Sequence, residues 1–311
     1  MRIAVYLPLL LSLLAPLGAR VLSERCEPRV ATWLLTVSAL VLGAASTLSL
    51  GLLAITGLIR IPLLADLGHW SVHTAQRDDP TQLSVAVVAG LLLGGAVLAA
   101  GRMLWTRARS LAAAAQQAAC LPAHDGLVVI EDETPDAFAV PGLPGRIVVS
   151  TGMLHLLDDG EHGILLAHER AHLEAHHYLF VALAGLGAAV NPLLRPLATA
   201  VTYTVERWAD ERAAAATGDR ARVARTLGKA ALAAPRTAGK RPPGYALGIF
   251  GHGALPRDAG PVPRRVAALL APPLHHRPVI TIAAGAVLVA AGCSIAEATH
   301  DLHLLLELIG A

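Results

Sequence analysis

Three uncharged apolar tracts constrain this chain more than any other feature: Val30–Ile59, Thr81–Gly101 and Pro278–Ala296. A hydrocarbon core is crossed by about 20 apolar residues in a helix, which satisfies its own backbone polar groups where no water can. Each tract is of that length and contains no Asp, Glu, Lys, Arg or His. The rest of the composition agrees, since only 15% of the 311 residues are charged, against roughly 25% in ordinary soluble domains. A fourth tract, Ile3–Ala19, is shorter and carries Pro8 and Pro16. It reads as a first span, with a cleaved signal peptide as the rival reading. The poor cleavage site LGAR and the arginines that follow at once favour the span. The expected layout is a membrane domain over 1–105 with three transmembrane helices, an inserted domain over 106–277, a last span over 278–297 and a short tail over 298–311.

Arginines set the orientation, because short loops rich in Lys and Arg stay cytoplasmic. Arg20, Arg25 and Arg29 place the first loop inside. The second loop, Arg60 to Gln82, sets two arginines against Asp66, Asp78 and Asp79, and Arg102, Arg107 and Arg109 follow the next span. The second loop is therefore expected outside, and the chain from Arg102 to Arg277 in the cytoplasm. His69 and His73 in the outer loop read as an ordinary polar loop rather than a metal sensor. Cys26, Cys120 and Cys293 show no paired spacing, which gives no disulfide framework or thiolate metal site. A formal charge of +2 without a basic stripe gives no case for nucleic acid.

Past Arg107 the pattern changes. A polar-faced helical stretch, Arg107 to Ala119, leaves the membrane. GLVVIED and GRIVVST then read as strands bounded by Gly, Pro and Asp. TGMLHLLDDGEHGILLAHERAHLEAHH has helical periodicity, with Asp158 and Glu161 spaced as a capping box. Strands followed by helices indicate a small α+β domain. Arg236 to Pro263 reads as a Pro- and Gly-rich loop, and PRRVAALLAPP as a short helix before the last span.

The stretch LLAHERAHLEAHHY, Leu165 to Tyr178, carries four histidines, His168, His172, His176 and His177. His168, Glu169 and His172 read H-E-x-x-H, which on a helix turns both rings to one side, where one divalent ion can bind them. Glu169 beside them can take a proton from a water on that ion. The bland alternative is a solvated histidine face. A catalytic zinc takes three protein ligands and keeps one position open. The third histidine of a metzincin would fall at Tyr178, so that subclass is excluded. His176 and His177 read as a polar helix end facing the membrane interface. TVERWADERAA supplies Glu206, able to complete the coordination, and Asp210 one turn on, able to accept the free ring N–H of a ligating histidine. The alternative is an ordinary salt-bridged surface helix. The apolar stretch between the two helices is too short on either side of Asn191-Pro192 to cross a bilayer. It must return Glu206 to the histidines, so a helical hairpin over 178–205 is expected, dipping into the membrane or packed on the domain. Arg207, Arg212 and His252 are candidates to stabilise an oxyanion.

Taken in order after several spans, AFAVPGLPGRIVVSTGML, LLAHERAHLEAHH, NPLLRP and VERWADERAA resemble the integral-membrane gluzincin proteases. The nearest resemblance is to the BlaR/MecR-type antirepressor proteases, with HtpX-like and CAAX-prenyl proteases more distant. The resemblance implies one Zn2+ per chain on His168, His172 and Glu206, with Glu169 catalytic. It implies a multi-pass protein of the bacterial inner membrane, its small α+β gluzincin domain facing the cytoplasm. The implied substrate is a protein, a winged-helix transcriptional repressor being the type case, held as an added strand along an exposed sheet edge at Arg146, Ile147, Val148, Val149 and Ser150. One departure stands out: no S-x-x-K motif occurs, so β-lactam sensing through a penicillin-binding domain is not expected. A zinc-holding receptor that never cuts is the second class; the intact Glu169 argues against it. A metal transporter is the third, and it would place ligands within the spans.

Overall fold

The computed structural model describes residues 4–58, 83–120, 123–142, 144–233, 261–275 and 277–310. In chain order its helices begin with α1 (Leu7–Ser12), α2 (Ala15–Arg25), α3 (Pro28–Leu58) and α4 (Leu83–Cys120). A sheet follows, of β1 (Leu127–Ile130), β2 (Ala137–Val140) and β3 (Arg146–Ser150). Then come α5 (Thr151–Leu156), α6 (Asp159–Glu174), α7 (His177–Val190), α8 (Arg195–Thr217) and α9 (Arg220–Ala233). After residues outside the described set come α10 (Pro261–Leu270) and α11 (Pro278–Gly310).

Among the described residues three helices are long and apolar enough to cross a membrane: Pro28–Ile55, Leu83–Ala113 and Pro278–Asp301. The first is 56% buried inside the protein, the other two 17% and 11%. The α3 helix is therefore the central post, and α4 and α11 turn most of their apolar surface outward, as lipid-facing helices do. The tract Ile3–Ala19 is not a single span-length helix. It breaks at Leu13 and Leu14 into α1 and α2, each with a proline in its first turn, where a missing N–H and a fixed φ are tolerated and after which the preceding helix is cut short. The Arg107 to Ala119 stretch is continuous with the α4 span, and the tail after residue 297 continues α11 as helix.

Helices α7 and α8 lie along α3. Trp33 of α3 meets Phe180 edge-on at 4.8 Å near the start of α7. At the far end the Asn191 amide donates to Ser12 Oγ and Ser46 Oγ, both at 2.9 Å. Between these points α7 follows about 20 Å of α3, at 1.5 Å per residue. The approach is close because Gly187 has no side chain: a Cβ there would lie 2.3 Å from the Ala39 carbonyl oxygen. Asn191 also turns the chain, its Oδ1 accepting from Leu193 N at 3.1 Å, and α8 returns beside α3, where Thr32 Oγ1 donates to Thr204 Oγ1 at 2.9 Å.

The sheet order is β1-β3-β2, with β1 parallel and β2 antiparallel to β3. This corrects the expectation that Arg146 to Ser150 forms an exposed edge. Ile147, Val148 and Val149 pair on both sides, Arg146 with β2 and Ser150 with β1, so β3 is the central strand and offers no open edge. The unrecognised strand is β2, AFAV, short and half alanine, a composition with weak strand preference. Side chains of β3 alternate as a pleat requires: Ile147 and Val149 join Met153, Ile164 and Leu165 in one core, while Val148 packs with Val128 and Val140 on the other face.

Candidate metal centre and active site

A complete capping box starts α6. Asp158 Oδ1 accepts from Glu161 N at 2.8 Å, and Glu161 Oε2 accepts from Asp158 N at 2.9 Å. Two of the orphan amides of the first turn are thereby satisfied. One turn apart further along, His168 and His172 face Glu206 and Asp210 of α8. The two Nε2 atoms are 3.2 Å apart. His168 Nε2 lies 3.6 Å from Glu206 Oε2, and His172 Nε2 lies 3.6 Å from Glu206 Oε1. Ligand atoms at about 2.0–2.1 Å from a tetrahedral zinc stand roughly 3.3 Å from one another. The triangle His168, His172, Glu206 has that size and chemistry.

The surroundings also fit a cation. His168, Glu169, His172, Glu206 and Asp210 are all buried, and Glu169 has no side-chain hydrogen-bond partner, only the Ala139 backbone amide close by. Three buried carboxylates thus face one guanidinium, that of Arg265. Unpaired buried charge is costly, and a divalent cation brings the group to neutrality. Proton affinities say the same. Burial opposes a charged His168, yet the contacts to Asp210 and Glu206 push it up to about 9, so the carboxylates demand positive charge at that spot. Burial holds the His172 imidazole neutral, the ligating state. Burial pushes Glu169 up to about 8, opposed by the charge of His168 and more weakly by the Ala139 backbone amide. Burial would raise Asp210 and Glu206 too, but Arg265 holds both below their ordinary values.

Each histidine has its other ring nitrogen engaged. His168 Nδ1 is 3.1 Å from Asp210 Oδ1, so its N–H donates to the carboxylate and leaves Nε2 free to ligate. His172 Nδ1 is 2.9 Å from Nδ1 of His177. His177 is fully buried and rests on Trp208, ring centroids 4.7 Å apart. This corrects the expectation of a polar, interface-facing end. His176 takes a left-handed conformation (φ 52°) and stays exposed, while the 55° bend between α6 and α7 turns His177 inward against the ligand. His177 does for His172 what Asp210 does for His168.

The cation at the site is not among those expected. Arg207 is buried and donates from Nη1 to Ser23 O at 3.4 Å, and Arg212 pairs with Glu174 at the surface; His252 lies outside the described residues. Instead Arg265 of α10 forks onto Asp210, Nε to Oδ2 at 2.8 Å and Nη2 to Oδ1 at 2.7 Å, with Nη1 2.9 Å from Glu206 Oε2. A signal for it was available. Val262, Val266 and Leu269 form the inward face of α10, and Arg265 falls on that face at helical spacing, a charge where a core residue belongs.

The neighbouring strand completes the setting. The Ser150 amide donates to Asp136 O at 2.9 Å. With the register of β2 and β3, that phase directs the N–H and C=O of Ala137 and Ala139 away from β3. On that outer edge the Ala139 amide approaches Glu169.

Two histidines one turn apart and a glutamate from a later helix thus form a group able to hold one metal ion, as in a metallopeptidase. The family profile of Peptidase family M48 matches residues 102–272, and the chain belongs to that family. No curated protein and no solved structure matches the chain.

Proposed function

We propose that this protein is a membrane-bound zinc endopeptidase that cuts cytoplasmic protein segments, and that its physiological substrate is a transcriptional repressor cleaved in a signalling pathway. The observation that carries the hydrolytic part is the ligand triangle with Glu169 buried beside it, without a side-chain partner. A bound zinc would supply a Lewis acid that acidifies water and polarises the scissile carbonyl. The chain's own groups do the rest. Glu169 accepts the proton of the attacking water and returns it to the leaving amine, a role suited to a carboxylate whose proton affinity burial has raised. Asp210 and His177 hold the two imidazoles in the ligating tautomer. Arg265 keeps Glu206 and Asp210 ionised. The free edge of β2, with Ala137 and Ala139, takes the place first expected of β3 and binds the substrate chain as an added strand.

Orientation supports a cytoplasmic substrate. The centre lies beside the N-terminal end of α3: Trp208, which carries His177, is 5.8 Å from the Arg29 guanidinium. Arg29, Arg25 and Arg20 favour the cytoplasm for that end, by the bias of Lys and Arg to short inside loops. The resemblance to BlaR/MecR-type proteases supports a winged-helix repressor as substrate. The test compares new protein termini in cells carrying the wild type and Glu169→Gln. Wild-type-dependent cuts in a cytoplasmic repressor support the proposal. Cuts only in damaged membrane proteins replace it with a quality-control protease of the HtpX-like kind, and cuts confined to extracellular sequence reject the orientation.

A further inference from the structure

Arg265 reaches the metal centre from α10, a helix of only 10 residues, too short to hold its form without tertiary contacts. Besides its apolar face of Val262, Val266 and Leu269, a second arginine seats this helix. Arg220, the first residue of α9, donates from Nε to Leu269 O at 3.1 Å and from Nη2 to Ala268 O at 3.1 Å and Ala271 O at 3.3 Å. These are carbonyls of the last turn of α10, which have no partner within the helix and attract a cation. Arg220 is itself gripped by Glu211, Nη2 lying 3.0 Å from Oε1 and Nη1 paired with Oε2. Glu211 directly follows Asp210 on α8. One end of the clamp is thus fixed to the helix that carries Glu206 and Asp210, and the other holds the helix that carries Arg265, one turn from that residue.

We propose that Arg220, anchored by Glu211, is a positioning residue for the metal centre: it sets the depth of α10 so that the Arg265 fork meets Asp210 and Glu206. The inference rests on the metallopeptidase reading. Arg220 touches no ligand of the triangle, so its influence must pass through Arg265. A guanidinium suits the task because its planar fork can hold a carboxylate on one side and backbone carbonyls on the other. Loss of the clamp lets α10 slide, loosens the Arg265 fork, and leaves the glutamate ligand and the His168–Asp210 pair less well oriented. Outer partners of metal ligands typically change affinity by about 10–100-fold, and Arg220, one step further out, should fall near tenfold.

The experiment uses the full chain purified in detergent. Zinc affinity is measured by competition with a chromophoric chelator, and ligand geometry by the visible absorption of the Co2+-substituted protein. Arg220→Gln and Glu211→Gln should each weaken zinc about tenfold and shift the Co2+ bands, whereas Arg225→Gln, an exposed arginine on the same helix, should change neither. In an Arg265→Lys background, Arg220→Gln should cost less than about twofold more, because residues acting through one another are not additive. Zinc binding by Arg220→Gln within twofold of wild type overturns the proposal, as does a full tenfold loss that persists in the Arg265→Lys background. If Arg220→Gln does not fold, Glu211→Gln decides by the same criteria. A wild type that binds no metal sinks the metallopeptidase reading itself, an outcome distinct from all of these.

Discussion

Replacing Arg265 with Met keeps much of its bulk and removes its charge, so the consequence can be worked from the geometry. Arg265 is 1% exposed and meets Asp210 through two bonds and Glu206 through one contact. Without it two buried carboxylates lose their cation. Breaking a buried pair from one side typically costs about 3–5 kcal/mol, because the remaining charge stays desolvated. For a large chain, with about 2 °C of melting temperature per kcal/mol, metal-free Arg265→Met should melt about 6–10 °C below wild type. The assay is thermal unfolding in detergent with chelator present. The cost comes from the orphaned acid rather than from a lost attraction, so Asp210→Asn in the same molecule should recover more than half of it. Metal-free Arg265→Met melting within about 2 °C of wild type would refute the reasoning. So would a double variant less stable than Arg265→Met alone.

Other substitutions separate the roles at the site. Glu169→Gln should retain near-stoichiometric zinc and lose peptide cleavage, while Glu206→Ala should lose most of its zinc, both read by metal analysis; retention of tight zinc by Glu206→Ala removes it from the ligand set. His177→Ala should weaken zinc about tenfold through the freed His172 tautomer, measured by chelator competition, and an unchanged affinity would reduce His177 to packing. Ala137→Pro removes an N–H that points away from the β2–β3 ladder, whereas the Ala139 amide approaches Glu169, and edge strands tolerate proline. It should leave zinc bound while lowering kcat/KM for peptides by an order of magnitude or more, about the effect of one lost transition-state hydrogen bond; normal cleavage would move the substrate off this edge.

Local spacing along the chain encodes one part of this protein. Uncharged length marked the α3, α4 and α11 spans, because a bilayer admits few alternatives to a long apolar helix. The i, i+4 spacing put His168 with His172 and Glu206 with Asp210 on single helix faces, and a shared ion required the Asn191-Pro192 turn to bring the faces together. Only the tertiary structure decided the rest. Arg265 stands 55 residues from Asp210; helical spacing puts it on the inward face of α10, but nothing local says which acids that face meets. His177 depends on one left-handed residue at His176, a rotation that helical periodicity does not contain. The sheet edge went to β2 because strand order is set by which surfaces pack, and a four-residue strand gives too weak a pattern to reveal its neighbour. Periodicity reports how a segment presents its faces; which distant segment meets each face is settled by burial and charge in the assembled fold.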